Sequence, residues 1–165
     1  MLGQMPYTAF QRLPDPLNPP GPMNYWKAHY LKIFDDEAID SIINHAANLP
    51  SPLSEIHIEH MGGAVKRLSE EETAFGNREA EFALNIVGKW TNPAESAKNT
   101  VWVRGFWQYM ARFSTGATYV NYLSDTREEM VRASYSTKYQ KLVSLKQKYD
   151  PANLFRFNHN FAVYK

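Results

Sequence analysis

Residues 80–113, AEFALNIVGKWTNPAESAKNTVWVRGFWQYMARF, change their hydrophobic period once, and that change constrains the architecture more than any other feature of the chain. Up to Trp90 the period is two: Phe82, Leu84, Ile86 and Trp90 share one face, while Ala83, Asn85, Val87 and Lys89 share the other, as in a strand. From Asn92-Pro93, with proline in a first-turn position, the spacing becomes three and four. Trp102, Phe106, Tyr109 and Phe113 then form an aromatic stripe on a helix over about 94–113. A half-apolar strand feeding an amphipathic helix calls for a sheet with helices on one side.

Elsewhere the same two periods recur. Pro14, Pro16, Pro19, Pro20 and Pro22 mark residues 1–22 as an irregular arm. Residues 24–34 read as a strand, and Asp35-Asp36-Glu37 opens a helix over about 38–48, its acidic residues at the positive end of the dipole. SEIHIEHMGGAV is a strand broken at Gly62-Gly63, 67–78 is a polar loop, and ATYVNYL, after Ser114-Thr115-Gly116, is a further strand. Two helices, about 128–133 and 136–149, lead to KYDPANLFRFNHN, where Asp150-Pro151 stops the helix. The fold class is therefore α+β, an antiparallel sheet with helices packed on one face, organised as an arm (1–22), the sheet and helices (23–149) and a C-terminal ribbon (150–165). With helices over the apolar face, the opposite face is expected to present Lys27, His29, His57, Glu59, Asn85, Tyr119 and Asn121 across four strands.

Composition removes several classes of function. The 165 residues suit one domain, and 18 Lys+Arg against 17 Asp+Glu leave no excess charge for nucleic acid or an anionic membrane. No apolar run approaches the roughly 20 residues that span a bilayer, and the first residues do not form a leader, so a cytoplasmic location is expected. Zero cysteines exclude disulfides, thiolate metal sites and thiol catalysis. In HIEH, His57 and Glu59 share a strand face but His60 points away, so no metal site is expected. G-x-S-x-G, G-x-G-x-x-G and P-loop motifs do not occur.

IEHMGGAVKRLSEEETAFGNREAEFALNIVGKW, TYVNYLSD and KYDPANLFRFNHN, taken with PYTAFQ and NYWKAHYL, resemble successive motifs of the C-terminal part of berberine bridge enzyme-like FAD-linked oxidases, of the vanillyl-alcohol oxidase superfamily. The resemblance implies a substrate and cap domain whose sheet roofs a flavin held by a separate N-terminal FAD domain, with the ribbon docking on that domain. By the same resemblance Tyr119 lines the pocket and is the candidate catalytic group, and Tyr122 and Asn85 are substrate-binding; His57 joins them as a substrate-binding candidate from its place on the polar face. Asn121, Asn158, His159 and Asn160 are cofactor-binding, the last three matching a terminal polar triplet in which glutamine is commoner than His159. Asn85 falls where other members carry a glutamate base or a glutamine; an amide cannot take up a proton at neutral pH, so its role there is orientation. FAD is the implied cofactor and a separate FAD-binding subunit the implied partner, since this chain would by itself lack the FAD domain; the apolar Leu154, Phe155, Phe157 and Phe161 independently lead to the expectation of a homodimer or a partner complex. The alternative expectation is a self-associating binding protein that keeps the cap fold without redox chemistry.

Overall fold

A computed structural model describes residues 3–32, 34–124, 127–157 and 159–161. Three strands, β1 (Met23–Leu31), β2 (Glu55–His60) and β3 (Phe82–Trp90), form an antiparallel sheet in the order β1-β3-β2. The helices are α1 (Tyr7–Gln11), α2 (Asp36–Ala47), α3 (Ala64–Arg67), α4 (Ser96–Met110), α5 (Glu128–Tyr135) and α6 (Tyr139–Tyr149). The architecture is α+β, and among the described residues no helix is long and apolar enough to cross a membrane.

The change of period at Asn92 is where β3 gives way to α4. The Asn92 side chain accepts from the Ala94 N–H, and Pro93 opens a 3₁₀ turn that leads into α4. The buried stripe of α4 is Asn99, Val103, Phe106 and Met110, rotated from the aromatic stripe read from sequence; Trp102 and Phe113 pack at its margin. This helix presses Val103, Phe106 and Met110 onto Leu31, Leu84 and Ile86, with Ala38 and Ile42 of α2 completing the core. Gly88 makes the close approach possible, because a Cβ there would lie 2.9 Å from Val103 Cγ2. Asp35 caps α2 by accepting from the Ala38 N–H at 2.8 Å.

Two expectations are corrected by the structure, the first through strand register. Lys27 pairs with Ile86 and His29 with Leu84, so both side chains lie on the helix-covered face, opposite Asn85, His57 and Glu59. Residues directly opposite across a ladder share a face, so register with β3, and not the polarity of the side chain, settles the matter. The polar groups are accommodated there by Trp107: the His29 ring stacks flat on the indole at 4.9 Å, and Lys27 Nζ sits 5.2 Å from its centre.

The second correction concerns ATYVNYL, which is not a strand: Val120–Tyr122 is a 3₁₀ turn with Tyr119 before it. The segment still runs along the outer edge of β1. Tyr30 N–H donates to the Ala117 carbonyl at 2.8 Å and Thr115 N–H to the Tyr30 carbonyl at 2.9 Å. Beyond that point side chains replace the ladder, with the Trp26 indole donating to the Tyr122 carbonyl at 3.1 Å and the Ser124 hydroxyl to the Trp26 carbonyl at 3.0 Å. The edge is covered without a strand, and the tyrosines fold over the sheet. Beside this edge α5 and α6 make a small core of Val131, Tyr139 and Val143, joined by Leu123, Tyr135 and Phe161.

Candidate functional site

The face away from α4 carries three rows. Glu55, Val87 and Trp26 lie side by side, then His57, Asn85 and Ala28, then Glu59, Ala83 and Tyr30. Ala28 and Ala83 make a low floor between taller side chains, and the Tyr119–Tyr122 turn closes over it from the β1 edge. Tyr119 packs against the cluster of Tyr30, Ala83 and Ala117, and Tyr122 meets Tyr119 edge to face at 5.2 Å. The Tyr122 hydroxyl reaches across to β2 and donates to Glu59 Oε1 at 2.5 Å. Asn121 supports the arrangement by donating through Nδ2 to the Tyr119 hydroxyl at 2.8 Å.

The electrostatics assign donors and acceptors. Burial, then the hydrogen bond to Glu59 and the charge of that carboxylate, raises the pKa of Tyr122 above the ordinary phenol value. Tyr30 is raised as well, by burial first and then by Tyr119 and Glu59. Both phenols therefore stay protonated, and Glu59 is the acceptor of the Tyr122 hydroxyl. Asn85 is only 7% exposed, and its Oδ1 has no hydrogen-bond partner among the described residues. A buried carbonyl oxygen left unpaired costs roughly 1–3 kcal/mol, so this atom marks a place where a ligand donor would be welcome.

One end of the face is occupied by the arm. Lys89, almost fully buried, extends its ammonium to the Leu17 carbonyl (3.1 Å), Asn18 Oδ1 (3.0 Å) and Glu55 Oε1 (2.8 Å). Glu55 also accepts from His57 Nε2 at 2.8 Å. Burial by itself would raise the Glu55 pKa; the bonds from Lys89 and His57 outweigh it and hold the carboxyl below its usual range. His57 is thus tied into the clip that fastens the arm.

Of the residues named from sequence, Tyr119, Tyr122, Asn121, Asn85 and His57 gather on or over this one face. His159 lies elsewhere, its Nδ1 3.3 Å from the Tyr135 hydroxyl of α5, and Phe161 packs on Tyr135 and Tyr139. Asn158 lies outside the described residues, and Asn160 sits in the same terminal segment as His159. Sequence reasoning placed Glu59 on the polar face without assigning it a role, and did not place Tyr30 there. The alternation of HIE signals the first; only the register with β3 reveals the second.

Residues 118–161, which contain the tyrosine turn, α5, α6 and the ribbon, match the family model described as "Berberine and berberine like". The chain resembles part of the berberine bridge enzyme-like FAD-linked oxidases. It is 29% identical over 129 residues to the uncharacterized FAD-linked oxidoreductase YgaK of Bacillus subtilis, covering 78% of this chain and 28% of that protein. It is 27% identical over 154 residues to berberine bridge enzyme-like C-1 of Nicotiana tabacum, covering 73% and 27%. BBE-like #28 from Arabidopsis thaliana superposes on 88% of this chain and 34% of its own with a TM-score of 0.76 at 19% identity, which establishes the shared fold. The relatives are FAD-linked oxidoreductases, and the chain spans about a quarter of the length of these two curated relatives.

Proposed function

We propose that this chain is the substrate-binding, flavin-capping portion of a FAD-dependent oxidoreductase, inactive by itself, with the face of Tyr119, Tyr122, Asn85 and Glu59 turned toward the flavin ring and substrate. The observation that carries this reading is the orphaned Asn85 Oδ1 beside an alanine floor ringed by phenols and a carboxylate. Such a face suits a flat ligand with polar edges: Asn85 Oδ1 would accept from a ring N–H, Tyr119 would donate to a ring or substrate oxygen, and the Tyr122 oxygen, its own proton given to Glu59, would accept from a substrate O–H or N–H. FAD, when bound, supplies the electron acceptor of the oxidation. Within this chain Glu59 is the group placed to take up a proton, relayed through the Tyr122 hydroxyl. That assignment moves the base from Tyr119, which then serves to pack and orient Tyr122.

The donor set fits a flavin ring and not its phosphates. The buried cation of the face, Lys89, is already committed to Glu55 and the arm, so in this proposal the phosphate cradle comes from a separate FAD-binding subunit or another part of a longer chain. Asn121, His159 and Asn160, with Asn158, complete the cofactor side when that partner is present.

The test is a titration of the purified chain with FAD and, in parallel, with riboflavin, followed by flavin fluorescence. Saturable quenching of similar affinity for both ligands, abolished in Tyr122→Ala, supports a ring-capping face. Binding that requires the phosphates, or no binding of either ligand by the chain and by its mixture with a berberine-type FAD domain, rejects it.

A further inference from the structure

The loop between α3 and β3 is fastened on two sides by three consecutive residues, Gly76, Asn77 and Arg78. Toward α5, Gly76 passes so close to the Tyr135 carbonyl that a Cβ there would lie 3.0 Å from its oxygen. Asn77, at a φ of 63°, donates through Nδ2 to the Ala133 and Ser134 carbonyls at 3.1 and 2.8 Å. Asparagine tolerates that left-handed backbone, and its amide satisfies carbonyls that the last turn of a helix leaves open. Ser134 also accepts, through Oγ, from the Thr118 N–H at 3.4 Å, so the loop and the tyrosine turn rest on the same helix end.

Arg78 fastens the loop from inside. It is 7% exposed; Nη1 donates to the Val65 carbonyl of α3 and Nη2 to Thr73 Oγ1, each at 2.6 Å, and its backbone N–H donates to Glu70 Oε1 at 2.7 Å. The guanidinium carbon lies 5.1 Å from the centre of the Phe75 ring. The Phe75 ring in turn lies 5.9 Å from that of Tyr119, and both pack on the cluster of Tyr30, Ala80, Ala83 and Ala117. Neither hydrogen-bond partner of the guanidinium is a carboxylate. Burying a charge in that way is a poor source of stability; what it achieves is geometry, because the planar fork fixes α3, Thr73 and Phe75 relative to one another.

We infer that Arg78 is a positioning residue of the candidate site, setting the Tyr119 ring over the alanine floor through Phe75. The loop that reads as merely polar in sequence is then a wall of the site. Its consequence for ligand affinity rests on the reading of Tyr119 as a pocket donor; the placement of the ring does not.

The test reads the Asn121 side-chain amide by NMR, since its hydrogen bond to the Tyr119 hydroxyl reports where that ring stands, and measures riboflavin affinity beside it. Phe75→Leu keeps apolar volume at the contact and removes the ring, while Arg78→Lys keeps the charge and loses the fork. Both are expected to move the Asn121 amide to the position of a free side-chain amide. Both should also weaken riboflavin about tenfold, the equivalent of one hydrogen bond. Ile42→Val, which loosens the core under α4, is expected to lower stability and leave both readouts at the wild-type value. An unchanged Asn121 amide in folded Phe75→Leu overturns the inference. So does a wild-type amide in Arg78→Lys, which would make the charge and not the geometry the agent. Where circular dichroism shows Arg78→Lys unfolded, Phe75→Leu decides. A wild type that binds no riboflavin defeats the flavin reading, and the Asn121 amide, which needs no ligand, still decides this one.

Discussion

The two faces of the sheet handle polar side chains in opposite ways. Under α4, His29 is buried but fully accommodated: its ring lies on Trp107, and its Nε2–H donates to the Trp107 carbonyl at 2.9 Å. Burial first, then the nearby charge of Lys27, brings its pKa down to about 4, so it serves as a neutral structural element. On the other face Asn85 is just as buried, and its carbonyl oxygen is left without a partner. One face spends its polar groups on stability. The other keeps one unsatisfied, which is the pattern expected where a ligand completes the structure.

The sharpest way to break this contrast is at the centre of the covered face. Phe106→Ala empties a fully buried ring site and should cost about 3–5 kcal/mol in urea unfolding; a loss below ~1 kcal/mol would mean that α4 and the sheet are not the main core. Next in size is the pH response of His29. Its folded pKa of about 4 lies below the ordinary imidazole value of 6.5, so the unfolded chain binds the extra proton and stability is present above pH 6.5 and lost as pH falls toward 4. The wild type should lose about 3 kcal/mol more than His29→Leu between pH 7 and pH 4; parallel curves would contradict the buried neutral ring.

Smaller effects belong to the open face. Tyr122→Phe removes the hydroxyl bonded to Glu59 and should cost about 1 kcal/mol in stability, while weakening flavin binding in the titration. If stability changes and binding does not, the turn is merely structural. Asn85→Leu should have the least thermodynamic effect: with no partner to lose at Oδ1, stability should stay within about 0.5 kcal/mol or rise, and ligand affinity should fall. A destabilisation as large as that of a core residue would show that Asn85 is satisfied by the fold itself.

Much of this was legible in the chain. The β3-to-α4 switch, the capped α2, the Gly62-Gly63 break after β2 and the Asp150-Pro151 stop all follow from local periodicity and backbone chemistry. Asp150 even accepts from the N–H groups of Leu154 and Phe155 beyond the proline. The candidate site was half legible: Asn85, His57 and the two tyrosines were named, but Lys27 and His29 were assigned to the wrong face and Glu59 was given no role. The reason is the same in each case. A strand's own alternation says which residues share a face with one another, and only pairing says which face that is.

Sequence by itself therefore determined most of the elements, since helix, strand and cap preferences act over a few residues and need no distant partner. Tertiary structure alone decided three things: which face of β1 meets α4, that Tyr119–Tyr122 folds as a turn against the β1 edge, and that Tyr122 reaches Glu59 sixty-three residues away. Each depends on register between segments far apart in the chain, where a shift of one residue exchanges the faces, and a local pattern carries no information about that choice.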